Sequence, residues 1–342
     1  MTSFFSLSLQ KIIPNEAMKR RFFLKLSAEV LVASQLPWPL RAEVKRNVGK
    51  LRPLNIREIE IPVGIEKPFS ALHISDTHLT LVDNRNDERK IKLAADRARS
   101  MNLGEHYLDE AIRYAKEHDM LMLHTGDLTD FVSEANLDAA ARHYREADWF
   151  VSAGNHEFSQ YVGEAKEDEA YKAESYQKVQ DAYPNDLTFC SRVVGGVNFV
   201  SLDDVYYNVT EHQHELMEQE VKRGLPVVLM CHVPFYTPDF CDYSLKRTPK
   251  CAYLTAAPLE VTKNFENNPN LPEDQQWRNR SVQQRADKPT MEFAKWLKHQ
   301  KAVKGILTGH MHFFYETRYS KTAMQYTVGA TYNGDAYAVR FV

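Results

Sequence analysis

The sequence is short of cysteine, of net charge and of long apolar runs, and each shortage narrows the functions open to it. Four cysteines occur in 342 residues, at Cys190, Cys231, Cys241 and Cys251, with no Cys-x-x-Cys pair. A structural zinc site built from thiolates is therefore not expected. Cys241 and Cys251 either form a disulfide, should the protein be exported, or stay as buried free thiols. The formal net charge of −3 gives no broad positive field, so dedicated nucleic-acid binding is not expected, although a nuclease stays open. No stretch reaches the roughly 18 apolar residues that a spanning helix needs, so no integral membrane span is expected. Internal repeats and low-complexity tracts are also missing. What remains is an ordinary globular composition, 43% hydrophobic and 26% charged, in a chain long enough to bury a large core.

Residues 1–42 differ from the rest. Lys19-Arg20-Arg21-Phe22-Phe23-Leu24-Lys25 resembles a twin-arginine export signal, and a moderately apolar stretch runs on to Leu40. Glu29 interrupts that stretch, and Leu40-Arg41-Ala42 is a poor cleavage site. The segment is either an export signal, giving a periplasmic or exported protein, or an amphipathic N-terminal helix on a cytoplasmic one.

From residue 56 the pattern alternates strand and helix, which is α/β. Ile56 to Val63 and Phe69 to Ile74 read as strands, and Glu105 to His118 places Leu108, Ile112 and Ala115 at helical spacing. Further helices are expected at about 134–146, 164–182, 211–223 and 289–299, and further strands at 197–202, 323–328 and 336–342. Residues 84–102 read as a polar surface excursion. Residues 235–288, rich in Pro, Asn and Gln, read as an insertion without clear periodicity.

Five apolar runs each end in metal-ligand residue types. Ala71-Leu72-His73-Ile74 leads to Asp76-Thr77-His78, and Met120-Leu121-Met122-Leu123 leads to Gly126-Asp127-Leu128-Thr129-Asp130. Trp149-Phe150-Val151 leads to Gly154-Asn155-His156-Glu157, Val227 to Met230 leads to His232, and Val303 to Leu307 leads to Gly309-His310-Met311-His312. Ligands of α/β sheets bind outside the carboxyl ends of the strands, where such residues would converge. Asp76, His78, Asp127, Asn155, His232, His310 and His312 offer two carboxylates, one amide and four imidazoles. That oxygen and nitrogen set suits two divalent cations, Mn, Fe, Zn or Co, with one carboxylate shared. Two such cations keep about two positive charges after two aspartates are counted, enough to hold a phosphate ester for in-line displacement. His73, His124 and His143 read as core or surface residues, Asp203-Asp204 as a strand-end turn, and Arg278, Arg280, Arg285 and Lys288 as a solvated face.

In this order the motifs Asp-x-His, Gly-Asp-x-x-Asp, Gly-Asn-His-Glu, a lone His and Gly-His-x-His resemble the calcineurin-like metallophosphoesterase superfamily, over residues 68–342. The resemblance implies a four-layer α/β/β/α sandwich of the metallo-dependent phosphatase type. It implies that Asp76, His78 and His312 bind one metal, that Asn155, His232 and His310 bind the other, and that Asp127 bridges them. His156 would contact the phosphate and protonate the leaving group, with Asp130 orienting it and Glu157 a supporting acid. The activity implied is hydrolysis of a small phosphomonoester or phosphodiester by a metal-activated hydroxide, with a nuclease or a non-catalytic, partner-binding scaffold as the alternatives. Asp130 stands where purple acid phosphatases carry a metal-binding Tyr, and Phe131-Val132 stands where protein serine/threonine phosphatases have Arg-Gly. The wording is most similar to bacterial single-domain members such as the class III cyclic-nucleotide phosphodiesterases.

Overall fold

The computed structural model describes residues 51–159, 162, 169–247, 253–266 and 286–342. The twin-arginine-like stretch, Cys251, Arg278, Arg280 and Arg285 lie outside them. Arg52–Val342 form one compact unit. Two sheets face each other within it. The first has strand order β1 (Asn55–Ile61), β11 (Asp335–Phe341), β2 (Phe69–Ile74), β3 (Leu121–His124) and β4 (Trp149–Val151). The second runs β5 (Phe189–Val194), β6 (Val197–Leu202), β7 (Val227–Met230), β8 (Val303–Thr308), β10 (Met324–Thr327) and β9 (Tyr315–Arg318). β2, β3 and β4 pair in parallel, as do β6, β7 and β8, so their carboxyl ends share one rim.

The central strands are apolar on both faces because both faces are covered. Leu121 and Leu123 of β3 point into the space between the sheets, with Phe150, Val228, Met230, Leu307 and Phe341. Met122 points the other way, against Leu108, Ile112 and Ala115 of α2 (Gly104–Glu117) and Leu137 and Ala140 of α3 (Glu134–His143). On the far side Leu229 and Ile306 pack on Met217 of α5 (Glu211–Lys222) and on Phe293 and Leu297 of α8 (Lys288–Leu297). The order is helix, sheet, sheet, helix. Each fully buried Leu or Phe in these layers contributes about 1.5–3 kcal/mol of transfer free energy.

Several elements differ from the sequence reading. The expected surface excursion at 84–102 contains α1 (Glu88–Met101), started by Asp87, whose carboxylate accepts the Lys90 N–H at 2.8 Å. Its face is too charged to read as amphipathic, yet Ala94 and Met101 are buried. Residues 169–180 form α4 (Glu169–Gln180); of the expected helix, 164–168 lie outside the described residues and 181–182 form a turn. Strands β5 and β9 went unread because they are half-buried partners, joined antiparallel to β6 and β10. The supposed insertion holds α6 (Pro238–Arg247) and α7 (Leu259–Glu266), and Phe235 bridges Thr255 in parallel. Cys241 is a free, buried thiol. No helix among the described residues is long and apolar enough to cross a membrane.

Candidate metal centre

Five loops leave the carboxyl ends of β2, β3, β4, β7 and β8 and meet between the sheets. They are stitched by their own backbones: Asp76 N–H donates to Gly126 O, His78 N–H to Asp127 O, and Gly309 N–H to His232 O, at 2.9–3.0 Å. Packing is close where Gly126, at φ +90°, meets Gly154. A Cβ on Gly126 would lie 2.5 Å from the Gly154 nitrogen, and a Cβ on Gly154 would lie 2.2 Å from that of Asp127. No larger residue fits either position.

The turns are strained in a telling place. Asp76, His78, Asp127, His310 and His312 all hold left-handed backbone, with φ between 52° and 67°. Each such conformation costs a non-glycine residue about 1–2 kcal/mol, and strain of this kind collects where side chains must be aimed.

What is aimed is a set of ring nitrogens and carboxylates. His78 Nδ1 donates to Asp130 Oδ1 at 2.8 Å, which leaves its Nε2 free to face His312 Nε2 at 3.1 Å. His232 Nδ1 donates to the Thr125 carbonyl at 2.7 Å, which leaves its Nε2 facing His310 Nδ1 at 3.1 Å and Asn155 Oδ1 at 3.0 Å. His310 Nε2 is pinned by the Tyr207 hydroxyl at 3.0 Å, and His312 Nδ1 by that of Tyr332 at 3.1 Å. Every imidazole thus has one nitrogen tied and the other turned inward, the arrangement that presents a lone pair to a metal. Asp127 Oδ2 lies 3.2 Å from His232 Nε2 and 3.7 Å from His78 Nε2, so it belongs to both pairs. Asp76 Oδ1 is 3.1 Å from His312 Nε2, and it is buried without a hydrogen-bond partner.

Two ligand clusters result, Asp76–His78–Asp127–His312 and Asp127–His232–His310, sharing Asp127. Facing nitrogens at 3.1 Å and a buried Asp76 oxygen without a hydrogen-bond partner form a place that suits a cation. Burial works against a charged His78, but hydrogen bonds to Asp130 and Asp76 and the Asp127 charge raise its pKa to about 10. His232 is likewise raised to about 10, against burial, chiefly by Asp127. Burial and the neighbouring His232 charge push His310 down to about 3. The donor set therefore fits two divalent cations.

His156 starts the one-turn helix after Asn155. Its N–H donates to Asp127 Oδ1 at 2.8 Å, and its Nδ1 donates to the Asp130 carbonyl at 2.8 Å. Its Nε2 is 4.0 Å from Asp127 Oδ2, and the ring lines a cavity of about 170 Å³ with Asp127, Asn155, His310 and His312. Asp130, expected from sequence to orient His156, also serves other groups. Its Oδ1 is 3.2 Å from His156 Nδ1, but it accepts shorter bonds from His78 and from the guanidinium of Arg97, at 2.8 and 2.7 Å. Arg97 Nε also donates to Oδ2 at 2.6 Å. Burial disfavours the Asp130 carboxylate, yet Arg97 and the two histidines hold its pKa well below the ordinary range.

Glu157 is fully buried and accepts from the N–H groups of Asp127, Gly154 and Thr129 at 2.7–3.0 Å and from the Tyr183 hydroxyl at 2.7 Å. Burial and the Asp127 charge raise its pKa. Its role is to hold the Asp127 and Asn155 loops at a fixed spacing.

Arg97, Tyr207 and Tyr332 were missed from sequence. Asp204, read as a strand-end turn, does follow the end of β6, but it is buried, and its Oδ1 accepts the His232 and Val233 N–H groups at 3.1 Å. Its position one residue after the β6 end run Val197–Leu202-Asp203 was the available signal. Nothing local marks Arg97 or the two tyrosines. His73 and His124 are buried below the site, His73 Nε2 bonding Thr125 Oγ1 at 2.9 Å, and His143 is buried in α3. Lys288 is an exposed residue at the α8 start, 3.5 Å from Glu292.

Layered sheets with a shared-carboxylate, histidine-rich centre at the strand ends define a metal-dependent hydrolase fold. The chain belongs to the calcineurin-like phosphoesterase family, whose model matches residues 69–314. It is thereby an enzyme of the metallophosphoesterase class, a class that typically carries a dinuclear metal centre. No curated protein matches the chain. Among solved structures it is similar to a dimetal phosphatase from Danio rerio at 13% identity and TM-score 0.42, covering 80% of this chain and 89% of that one. It is also similar to a phosphopantetheinyl hydrolase from Mycobacterium tuberculosis, at 12% identity and TM-score 0.36 over 77% and 90%. A 5′-nucleotidase from Candida albicans shares 10% identity at TM-score 0.37, covering 82% of this chain but 48% of that protein. The assignment rests on the family model and not on these distant likenesses.

Proposed function

We propose that the chain hydrolyses a small phosphomonoester or phosphodiester at a dinuclear centre, with Asp76, His78 and His312 holding one cation, Asn155, His232 and His310 the other, and Asp127 both. The observation that carries this is the tethering of four imidazoles at their outer nitrogens while their inner nitrogens converge around Asp127. Bound divalent cations would supply Lewis acidity toward the phosphoryl oxygens and lower the pKa of a coordinated water toward about 7.

The chain's own residues do the rest. His156 is committed at Nδ1 to the Asp130 carbonyl, so its Nε2, turned to the cavity, is the atom that delivers a proton to the leaving oxygen. Asp130, 3.2 Å from that Nδ1, puts charge of the right sign beside an imidazolium. Arg97 keeps Asp130 ionised and in place from the α1 side. Glu157 fixes the spacing of the Asp127 and Asn155 loops, on which the proton donor's alignment depends.

The test is turnover of p-nitrophenyl phosphate and bis-p-nitrophenyl phosphate by chelated protein with Mn²⁺, Zn²⁺, Fe²⁺ or Co²⁺ returned singly. Metal-restored cleavage is expected, and the ratio of rates sorts monoesterase from diesterase. Metal binding without cleavage of either compound would favour the scaffold reading. Export is part of the proposal and rests on Lys19 to Lys25 alone; finding the full-length protein in the cytoplasmic fraction refutes it.

A further inference from the structure

The cavity has a second wall that hydrolysis of the phosphoryl bond does not use. Beside the candidate ligands and His156 it is lined by Tyr253, Met311 and Phe313. Met311 and Phe313 alternate with His310 and His312 on the same loop, so one turn of chain presents metal-type ligands and apolar surface together. All three wall residues are partly exposed. Apolar side chains grouped beside a few polar groups are the usual lining of a pocket that takes a ligand's apolar part.

The wall is also stiff. The Phe313 ring meets Tyr243 edge-on at 5.4 Å and Phe240 at 6.3 Å, and the Arg247 guanidinium lies 4.6 Å from its centroid. Behind it Phe240 stacks on Tyr315 at 4.4 Å and Tyr243 lies against Tyr315 at 4.6 Å. Tyr253 stands edge-on to His310 at 5.5 Å and holds left-handed backbone at φ 52°. Rings braced in edge-to-face contact lose little entropy when a further ring packs on them, and such a pair is worth about 0.5–1.5 kcal/mol beyond area burial. Met311 adds a polarizable thioether, which packs well at ring edges.

We infer that Phe313, Tyr253 and Met311 form a leaving-group subsite that selects phosphoesters whose alcohol carries a flat aromatic or heteroaromatic ring. The inference rests on the phosphoester reading above and adds the substrate class. A phosphoryl group held among Asp127, Asn155 and the histidines directs its ester substituent across the same cavity to this wall, and His156 at the junction reaches the ester oxygen between them. Selectivity arises because a flat ring packs on the part of Phe313 left exposed beside Arg247.

The experiment compares Mn²⁺-loaded wild type with Phe313→Ala, Phe313→Leu and Tyr253→Ala on 1-naphthyl phosphate and on glycerol 2-phosphate. Taking the mutant-to-wild-type ratio for each substrate cancels the intrinsic reactivity of the leaving groups. Phe313→Ala is expected to lower kcat/KM for the naphthyl ester about ten-fold more than for the glycerol ester, mainly through KM, with Leu between. Equal losses on both substrates, or no loss on either, overturn the subsite. Binding of 1-naphthylmethylphosphonate against methylphosphonate, measured by calorimetry, needs no turnover. Wild type should prefer the naphthyl compound about ten-fold and Phe313→Ala should lose that preference. If neither ester is cleaved but this preference holds, the phosphoester reading fails and the subsite stands; if cleavage is normal and the preference is missing, the reverse follows.

Discussion

The two sheets contribute unequally to the centre. The first sheet's loops carry both carboxylates, the amide and His156; the second sheet's loops carry imidazoles only, His232, His310 and His312. Their supports differ in the same way. On the first side charged groups are enclosed by fixed donors: Glu157 among backbone N–H groups, Asp130 in the fork of Arg97. On the second side the outer ring nitrogens are steadied by uncharged groups, the Thr125 carbonyl and the hydroxyls of Tyr207 and Tyr332. The lesson is a division of labour. One sheet supplies and insulates the negative charge, while the other adds imidazole nitrogens, which bring no negative charge.

The largest test of that division is to remove the shared carboxylate. Asp127→Asn should abolish stoichiometric metal at both positions and cut kcat/KM by about a thousand-fold or more, roughly 4 kcal/mol of barrier. Metal analysis on purified protein checks the first part and steady-state kinetics the second. Retention of two metals per chain would end the idea that the carboxylate serves both clusters. Next in size, His156→Ala should keep its metals yet lose about 10²–10⁴ of turnover, most on esters with poor leaving groups. Full activity on such an ester would assign the proton donor elsewhere.

Smaller effects separate the supports. Tyr207→Phe and Tyr332→Phe should each weaken one metal about 10–100-fold, the first that of His310 and the second that of His312. Competition with a fluorescent chelator reads both, and identical losses at both positions would contradict separate tethers. Glu157→Gln replaces an acceptor by a group that must point an N–H at buried donors. A loss of about 1–3 kcal/mol in urea unfolding is expected, and an unaltered midpoint would remove Glu157 from the frame of the first sheet.

The smallest effect concerns the helices over that sheet. Burial and Arg142 lower the His143 pKa from 6.5 to about 4, and Arg142 donates to its Nε2 at 2.8 Å. The native state therefore binds this proton less readily than the unfolded chain does. Its stability contribution is present above pH 6.5 and is lost as pH falls toward 4. His143→Gln should flatten the stability profile across that window, and an unchanged slope would mean the ring already titrates normally.

Much of the centre could be read without coordinates because its ligands follow apolar runs that can only be buried strands. Asp76, Asp127, Asn155, His232 and His310 each lie within four residues of such a strand's end, and parallel pairing brings those ends to one rim. α2 was legible from its 3.6-residue apolar period and α8 from Pro289 near its start. α1 was not, because charged residues dominate its sequence and hide the short apolar stripe of Leu93, Ala94 and Met101. Nor was the division of Asp130 between His78, His156 and Arg97, since a carboxylate's partners depend on which donors come nearest in space.

By itself, then, the sequence determined the chemistry of the ligands and their place at strand ends, because alternation, burial and turn residues are local properties of the chain. Only the tertiary structure decided which nitrogen of each histidine faces inward, that His78 meets His312 across 234 residues, and that Phe313 stands braced beside them. Those outcomes depend on distances between residues far apart along the chain, fixed once two sheets pack face to face.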